Sequence, residues 1–361
     1  MPGHGFGRST LLGTALAATA LGIFGLPSAC LGAALVGETR RVDLGEKAPV
    51  GLDAMKALYR RPVSIPFPKD NPYTTQKVSL GKKLYFDTRL SVTSAQSCAS
   101  CHSPGFGWGD GLPVGVGHGM AKLGRGSPTI VNAAWGAIFM WDGRLASLEE
   151  QALGPIQSPG EMNMPIAQLM DRLASIAEYK PLFAAAFPNE GMKSKTLAEA
   201  IATYERTVVS EPAPFDAWVE GNEKAISEEA KRGFAIFNSK AQCSSCHEGW
   251  NFTNDGFQDI GLPSADVGRG QFLPDVIKMK HAFKTPGLRE IARRGPYMHD
   301  GSMATLEQVV DHYDRGGVDR PGRSDLMKPL GLSSQEKTDL VAFLNTLTSS
   351  LTPTAVPALP R

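Results

Sequence analysis

The sequence predicts a mostly α-helical chain that consists of two related domains. Segments with helical periodicity recur along the chain, whereas alternating, strand-like segments are nearly absent. The motif C-x-x-C-H occurs twice, as "CASCH" at Cys98–His102 and as "CSSCH" at Cys243–His247. Behind each motif the chain repeats one phrase, "AIFMWDGRLASLEEQALGPIQS" from Ala137 and "GPYMHDGSMATLEQVVDHYDRGG" from Gly295. A length of 361 residues also exceeds the usual size of a single core.

The first 33 residues have the composition of an export signal. Arg8 is followed by the apolar stretch "LLGTALAATALGIFGL", which ends at Leu26. Its 16 residues are short for a membrane span, so a permanent transmembrane helix is the weaker interpretation. Cys30 in "LPSAC" leaves a lipid anchor open, although Pro27 stands where such signals usually have leucine. We expect an exported, periplasmic protein, with membrane attachment at the N-terminus as the alternative.

Composition and pattern divide the rest of the chain. Residues 34–77 are proline-bearing and irregular, which predicts an extended segment, and order is expected from about Val78. The domains are expected at residues 78–225 and 226–347, followed by a tail at residues 348–361. Capping boxes predict helix starts at Thr196, with Glu199, and at Ser333, with Glu336. Lys and Arg total 37 and Asp and Glu total 36, so we expect no nucleic-acid partner.

Each C-x-x-C-H motif predicts one covalently bound c-type heme. The two thiols add to the two vinyl groups of the macrocycle, and the adjoining histidine reaches the iron. The predicted attachment residues are Cys98, Cys101 and His102 for one heme and Cys243, Cys246 and His247 for the other. A thioredoxin-like redox pair and a zinc site are the alternatives, but zinc requires four converging ligands. Both domains are therefore predicted to be cytochrome c-like.

The two halves align without a gap. Pro128 matches Pro286, and Asp142 matches Asp300, at a constant offset of 158 residues. At the same offset, Tyr313 of the second half corresponds to Pro155 of the first half. A proline ring cannot coordinate iron. If residue 313 supplies an axial ligand to its heme, the equivalent position in the first half stays open for a substrate.

The chain resembles the bacterial diheme cytochrome c peroxidase and MauG superfamily from about Val78 to Leu347. The resemblance rests on both heme motifs and on the segments "LGKKLYFDTRLS", "GHGMAKLGRGSPTIVNAAW", "WDGR", "GPIQSPGEMN" and "GPYMHDGSMATLEQVV". It implies an N-terminal heme that meets hydrogen peroxide and a C-terminal heme that exchanges electrons. In the peroxidase branch the residue matching Tyr313 is methionine, whereas MauG-like members have tyrosine. Tyr313 therefore places the chain closer to the MauG-like branch. Its hard phenolate would favour ferric iron. His312, Met298 and Met303 remain rival ligands.

The resemblance also implies roles for residues of the first half. Trp141 matches the tryptophan that relays charge between the two hemes. Gln151 and Glu161 match the amide and the acid above the peroxide-binding iron, where a carboxylate moves a proton between the peroxide oxygens. His118 matches a displaceable iron ligand of the peroxidase branch, which makes it an alternative ligand on a glycine-flanked loop. The remaining histidines, which are His4, His281, His299 and His312, are expected to be structural.

The chain departs from the resemblance at two places. Superfamily members bind a calcium ion between the domains, but Gly126 replaces its asparagine ligand, and Arg294 and Pro296 occupy the carbonyl positions. Calcium is therefore doubtful. A surface tryptophan of the MauG branch is replaced by Ala241, so charge would need another way out, for which Trp250 is a candidate.

Three functions are compatible with these residues. The first is a peroxide-dependent enzyme that forms high-valent heme and oxidises aromatic residues, tryptophan above all, of a partner protein. The second is a cytochrome c peroxidase that reduces hydrogen peroxide to water with electrons from a small cytochrome or cupredoxin. The third is an electron carrier without catalysis. Tyr313 favours the first function, and His118 favours the second.

Overall fold

The computed structural model describes residues 51–361, in which eleven α-helices and one two-stranded sheet occur. The helices are α1 (Leu52–Ala57), α2 (Thr75–Phe86), α3 (Cys98–Cys101), α4 (Leu148–Gln157), α5 (Ile166–Ser175), α6 (Tyr179–Ala186), α7 (Ser194–Arg206), α8 (Pro214–Val219), α9 (Glu228–Asn238), α10 (Leu306–Arg315) and α11 (Ser334–Asn345). Strands β1 (Phe257–Gln258) and β2 (Phe283–Lys284) pair antiparallel. The mostly helical class is confirmed. The expected export signal, with Cys30, lies outside the described residues. No helix within residues 51–361 is long and apolar enough to span a membrane.

Part of the segment predicted to be extended is helical and packed. Helix α1 lies within it, and Tyr59 just beyond is buried in the core of the second half. The Tyr59 ring stacks on Phe252 with centroids 4.8 Å apart, and its hydroxyl donates to Asn238 Oδ1 at 2.6 Å. Helix α2 begins at Thr75, three residues before the expected Val78, because the Thr74 hydroxyl caps it by accepting from the Lys77 N–H.

Each half is built on a pair of crossing helices that approach through a glycine. In the first half α2 packs on α7 at Gly81, and in the second half α9 packs on α11 at Gly233. A Cβ atom at Gly81 would overlap the carbonyl oxygen of Ala200, and one at Gly233 would overlap that of Asp339. Apolar side chains on both sides of each crossing form the two cores. The two helix pairs therefore fix the positions of the loops that follow.

One of the two expected capping boxes is confirmed and the other is wrong. The Ser333 hydroxyl accepts from the Glu336 N–H at 3.2 Å, and the Glu336 carboxylate accepts from the Ser333 N–H at 2.7 Å. At the start of α7, Thr196 is instead the third residue of the helix. Its hydroxyl accepts from the Lys193 N–H and donates to the Gly191 carbonyl, which moves the helix start to Ser194.

The repeated phrase has one conformation in both halves. Residues that adopt left-handed backbone angles match at the offset of 158, as Met140 (φ 70°) and Met298 (φ 73°) show. Ser147 caps α4 and Thr305 caps α10, each by accepting from the backbone N–H three residues later. Pro155 and Tyr313 are consequently the eighth residues of equivalent helices.

Ion pairs connect the two halves next to the repeated phrase. The Arg125 guanidinium donates to Asp142 of the first half at 2.6 Å and to Asp266 of the second half at 2.7 Å. Arg269 donates to the backbone carbonyls of Asp142 and Gly143. Asp142 is only 2% exposed, whereas Arg125 and Asp266 are partly exposed, so the ion pairs connect the two halves around one buried carboxylate.

Replacing Gly81 or Gly233 with alanine should destabilise the protein. The added methyl group has backbone on its far side and no flexible side chain to displace, and overpacking of this kind costs about 1–3 kcal/mol. We expect each variant to unfold at lower denaturant concentration than the unmodified chain. Gly154→Ala is the matched control, because the nearest atom to its new Cβ is Leu145 Cδ1 at 3.7 Å. Unchanged midpoints for Gly81→Ala and Gly233→Ala would contradict the role of the crossings.

Candidate active site

Two cavities face the two C-x-x-C-H motifs. The first cavity is lined by Cys98, Cys101 and His102, together with Gln151, Pro155 and Glu161. The second cavity is lined by Cys243, Cys246 and His247, together with Tyr313. Leu306, Val310, Leu340 and Leu344 contribute to its largely apolar wall. Helices α4 and α10 each form one side of a cavity, so the repeat places equivalent residues opposite equivalent histidines.

The motif histidines are held as neutral imidazoles. His102 Nδ1 lies 2.9 Å from the Pro128 carbonyl, and His247 Nδ1 lies 2.9 Å from the Phe252 carbonyl. A carbonyl only accepts, so Nδ1 carries the proton in both rings and Nε2 keeps its lone pair. Burial lowers the pKa of His102 and lowers that of His247 to about 4. Both rings are therefore in the form that binds a metal.

The four motif cysteines are free thiols in the described chain. Burial raises the pKa of all four, to about 11 for Cys101 and about 12 for Cys243. No group of three His, Cys, Asp or Glu side chains within residues 51–361 is arranged to hold a metal ion, as a zinc site would require. The pairs of thiols thus remain available for attachment of a cofactor.

Tyr313 and Pro155 occupy equivalent places with different chemistry. The Tyr313 side chain lines the second cavity, and its hydroxyl makes no hydrogen bond to any described residue. Burial and the nearby Cys246 and Cys243 raise the pKa of its phenol. Pro155 lines the first cavity and presents only a ring of carbon atoms there. The second cavity therefore has a phenol oxygen at the position where the first has none.

The rival ligands for the second motif are placed differently. His312 is turned away, since its Nε2 donates to the Ile260 carbonyl at 2.8 Å. Met303 is not among the residues that line the second cavity, whereas Met298 is. Tyr313 and Met298 are the candidates that reach the second cavity among those expected from the sequence.

Gln151 and Glu161 lie together in the first cavity. Burial raises the pKa of Glu161, although the nearby Arg144 opposes that shift. The Gln151 amide nitrogen lies 3.9 Å from Met140 Sδ, which places the amide beside the left-handed turn before Trp141. A carboxyl group of raised pKa and an amide thus face the motif across the cavity.

Trp141 lines both cavities. Its indole N–H donates to the Gly126 carbonyl at 2.9 Å, and its carbonyl accepts from the Lys284 N–H at 2.8 Å. The following residue is Asp142, the centre of the ion pairs between the halves. The ring is therefore fixed from both ends between the two cavities.

His118 is close to this site only through its backbone. Its N–H donates to the carbonyls of Gly160 and Glu161, while its side chain does not line either cavity. The loop is nevertheless attached to the segment that carries Glu161. A role as an iron ligand would require this loop to move.

The structure also brings residues to the cavities that the sequence did not single out. His281 and His299, expected to be structural, line the second cavity. His281 Nδ1 is hydrogen-bonded to the Asp266 carbonyl, and the His299 ring stacks on the Phe283 ring with centroids 3.7 Å apart.

Glu205 lines the first cavity and is 4% exposed. Burial raises its pKa to about 8. Its Oε2 has no hydrogen-bond partner among the described residues. Nothing in the pattern "YERT" distinguishes this buried acid from a surface one.

Two family models match the chain. The model described as "Di-haem cytochrome c peroxidase" matches residues 75–224, and the model described as "Cytochrome c" matches residues 230–348. The first match ends between α8 and α9, and the second begins within α9.

Individual relatives cover most of the chain. Methylamine utilization protein MauG of Methylorubrum extorquens is 51% identical over 86% of this chain and 88% of its own length. Cytochrome c551 peroxidase of Pseudomonas aeruginosa is 35% identical over 85% of this chain and 89% of its own. The crystal structure of a MauG-like protein associated with microbial copper homeostasis superposes with a TM-score of 0.74. It is 32% identical and covers 80% of this chain and 95% of that one.

The chain binds two c-type hemes, and its cavities have the groups that such cofactors need. Each cavity offers two free thiols and an imidazole with its Nε2 lone pair available. Tyr313 lines the second cavity, and its phenol oxygen is a donor that a metal cation would bind, which would lower the pKa of that phenol. The residues therefore fit one heme per cavity.

Replacing Tyr313 with phenylalanine tests its role as a ligand. We expect the electron paramagnetic resonance spectrum of the resting ferric protein to change for one heme and stay the same for the other, because the substitution would remove one oxygen ligand. Tyr313→Met should give a third spectrum, since a thioether is a softer ligand. Tyr73→Phe is the control, because Tyr73 is exposed and lines neither cavity. If Tyr313→Phe with both hemes attached had the original spectrum, residue 313 would not be a ligand.

Proposed function

The chain belongs to the family of di-haem cytochrome c peroxidases and to its MauG-like branch, and from this we propose that it uses hydrogen peroxide to oxidise aromatic residues, tryptophan above all, of a partner protein. It is a heme peroxidase-type oxidoreductase. The observation that carries the proposal is the asymmetry between Tyr313 and Pro155. An oxygen ligand suits a heme that holds oxidising equivalents, whereas a methionine suits one that receives electrons.

The first cavity is where peroxide would bind, beneath the ring of Pro155. When bound, the hemes supply the redox chemistry, which is the transfer of two electrons to each peroxide molecule. Together with two protons, those electrons convert hydrogen peroxide to two molecules of water. In the proposed reaction both electrons come from aromatic side chains of the partner, which leave oxidised.

Glu161 is the group that would move the proton. Its carboxylate faces the open side of the first cavity, where it can take the proton from the inner peroxide oxygen and return it to the outer one, which then leaves as water. The raised pKa of Glu161 makes its carboxylate a stronger base than an exposed glutamate. Gln151 can donate a hydrogen bond from the neighbouring turn of α4 and orient the peroxide.

Trp141 is proposed to connect the two cavities electronically. Its indole lines both, and its hydrogen bond to the Gly126 carbonyl fixes the ring while leaving its proton in place. A fixed aromatic ring shortens each electron-transfer step between the two halves. The partner protein could then be oxidised without peroxide reaching it.

The runner-up function is a cytochrome c peroxidase that takes electrons from a small cytochrome or a cupredoxin. The observation in its favour is the His118 loop, in which the His118 N–H donates hydrogen bonds to the carbonyls of Gly160 and Glu161. A movement of this loop would alter the position of the proposed acid. Both functions are proposed for an exported, periplasmic protein, with a lipid on Cys30 as the alternative mode of membrane attachment.

Treatment of the ferric protein with one equivalent of hydrogen peroxide, without an electron donor, tests the choice between these functions. We expect a long-lived two-electron-oxidised state of the protein, visible in the absorption spectrum for minutes. Sustained turnover with a reduced small cytochrome, gained only after half-reduction of the enzyme, would instead support the runner-up. A ferric spectrum that does not respond to peroxide would contradict both.

Replacing Glu161 with glutamine should slow the reaction with peroxide about 100-fold or more, the usual range for loss of a general acid–base group. Stopped-flow absorption measures the rate. In the unmodified protein the rate should fall as the pH drops through the pKa of Glu161, which lies above the ordinary glutamate value, because the base becomes protonated. The glutamine variant should lose this dependence.

Glu211→Gln is the control for that experiment, because Glu211 is exposed and lines neither cavity. It should leave the rate and the pH profile unchanged. A Glu161→Gln variant that reacts at the original rate would remove Glu161 from the proposed mechanism.

A further inference from the structure

A third cavity, the middle cavity, lies between the two already described. It is lined by His102 of the first motif, by Trp141, and by Arg289, Arg294 and Tyr297 of the second half. It shares Trp141 with both other cavities. Anything bound there would be next to both heme-binding segments.

Arg294 places an unpaired positive charge at the middle cavity. One of its terminal N–H groups donates to the Gly287 carbonyl at 2.6 Å. Its Nε is buried and has no acceptor among the described residues, and no described carboxylate lies within ion-pair distance of it. Burial lowers the pKa of Arg294 to about 10, so the guanidinium is still charged at neutral pH. A buried N–H group without an acceptor is costly, so Nε is a donor available to an anionic ligand in this cavity.

The neighbouring Arg289 differs from Arg294 in having a carboxylate partner, although its own Nη2 is buried without an acceptor among the described residues. It pairs with Asp216 at 2.8 Å and donates through Nε to the Trp250 carbonyl at 2.8 Å. Arg293, one residue before Arg294, pairs with Glu290. Of these three arginines, only Arg294 has no carboxylate partner among the described residues.

The backbone makes room for the Arg294 side chain. Gly107, five residues after His102, has a positive φ of 60°, and a Cβ atom there would lie 2.9 Å from Arg294 Cγ. Glu248 and Gly249, which directly follow His247, line the same cavity as Arg294, so the guanidinium also lies near the second motif. The Arg294 side chain therefore lies between the two motifs.

We propose that Arg294 binds a carboxylate carried by the cofactor, that is, a propionate of one of the two hemes, in the middle cavity. Each c-type heme bears two propionates, which are anionic at neutral pH. A guanidinium matches a carboxylate in charge and in the spacing of its N–H groups, and the free Nε and terminal N–H groups of Arg294 can form such a pair. The inference rests on the heme content of the chain and does not depend on the proposed oxidation of a partner.

The pair would also influence the redox balance between the two hemes. A positive charge held near an iron favours the reduced, less positive state, so Arg294 raises the reduction potential of the heme that it contacts. This effect on the potential is constant around neutral pH, because the guanidinium stays protonated there.

Arg294→Met removes the charge and keeps an unbranched apolar stem. We expect covalent attachment of both hemes, confirmed by mass, and a lower reduction potential for one of them in a spectroelectrochemical titration without peroxide or partner. Resonance Raman bands of one propionate should shift as well. Arg293→Met is the matched control, since that arginine pairs with Glu290, and it should change neither readout. Arg294→Lys should restore most of the potential, because the charge remains.

The proposal would be overturned if Arg294→Met had the same potentials and propionate bands as the unmodified protein. An equal shift in Arg293→Met would overturn it as well. If Arg294→Met fails to retain both hemes, Arg294→Gln keeps N–H donors without the charge. In that variant a lowered potential supports the pair and an unchanged potential overturns it. A shift in potential that depends on the chloride concentration, with unchanged propionate bands, would assign the site to a solvent anion and would also overturn the proposal. A failure of partner oxidation leaves these equilibrium measurements unaffected, so the two proposals fail separately.

Discussion

The position of the eighth residue in α4 and α10 is the constraint on which the rest of the site depends. Left-handed turns at Met140 and Met298 and hydroxyl caps at Ser147 and Thr305 start both helices in the same way. Because the two scaffolds are equivalent, the side chain at that one position decides what each cavity can do. A phenol oxygen reaches one cavity and a pyrrolidine ring reaches the other, so two equivalent scaffolds carry chemically different sites.

Asymmetry between the sites is useful only if they stay in contact, and the ion pairs around Asp142 provide that contact. The Asp142 carboxylate binds Arg125 and Arg144, and Arg125 continues to Asp266 of the other half. Removing one partner from a buried network of this kind leaves an uncompensated charge, which is strongly destabilising. The network therefore fixes Trp141, the preceding residue, at the boundary that both cavities share.

Local patterns predicted much of this arrangement. The repeat, the offset between Pro155 and Tyr313 and the Ser333 capping box depend on neighbouring residues and could be read from the sequence. Thr196 was assigned to the wrong cap position because a hydroxyl at the third helical residue can bond backward to Lys193 as easily as forward. The buried Glu205 carboxyl and the unpaired Arg294 Nε could not be expected, because both properties come from tertiary packing. A single sequence contains no signal that separates such residues from ordinary surface charges.

Electrostatics also decides between tryptophans as carriers of an oxidising equivalent. Trp250 lies against Trp135 with centroids 4.7 Å apart, which at first suggests a way out for charge in place of the buried Ala241. However, the guanidinium groups of Arg61 and Arg289 lie 5.5 and 5.8 Å from the Trp250 ring, and a positive hole on that indole would be repelled by both. Trp141 instead donates its N–H to a carbonyl oxygen, which stabilises positive charge on the ring. Positive charge is thus better accommodated on Trp141, between the two cavities, than on Trp250.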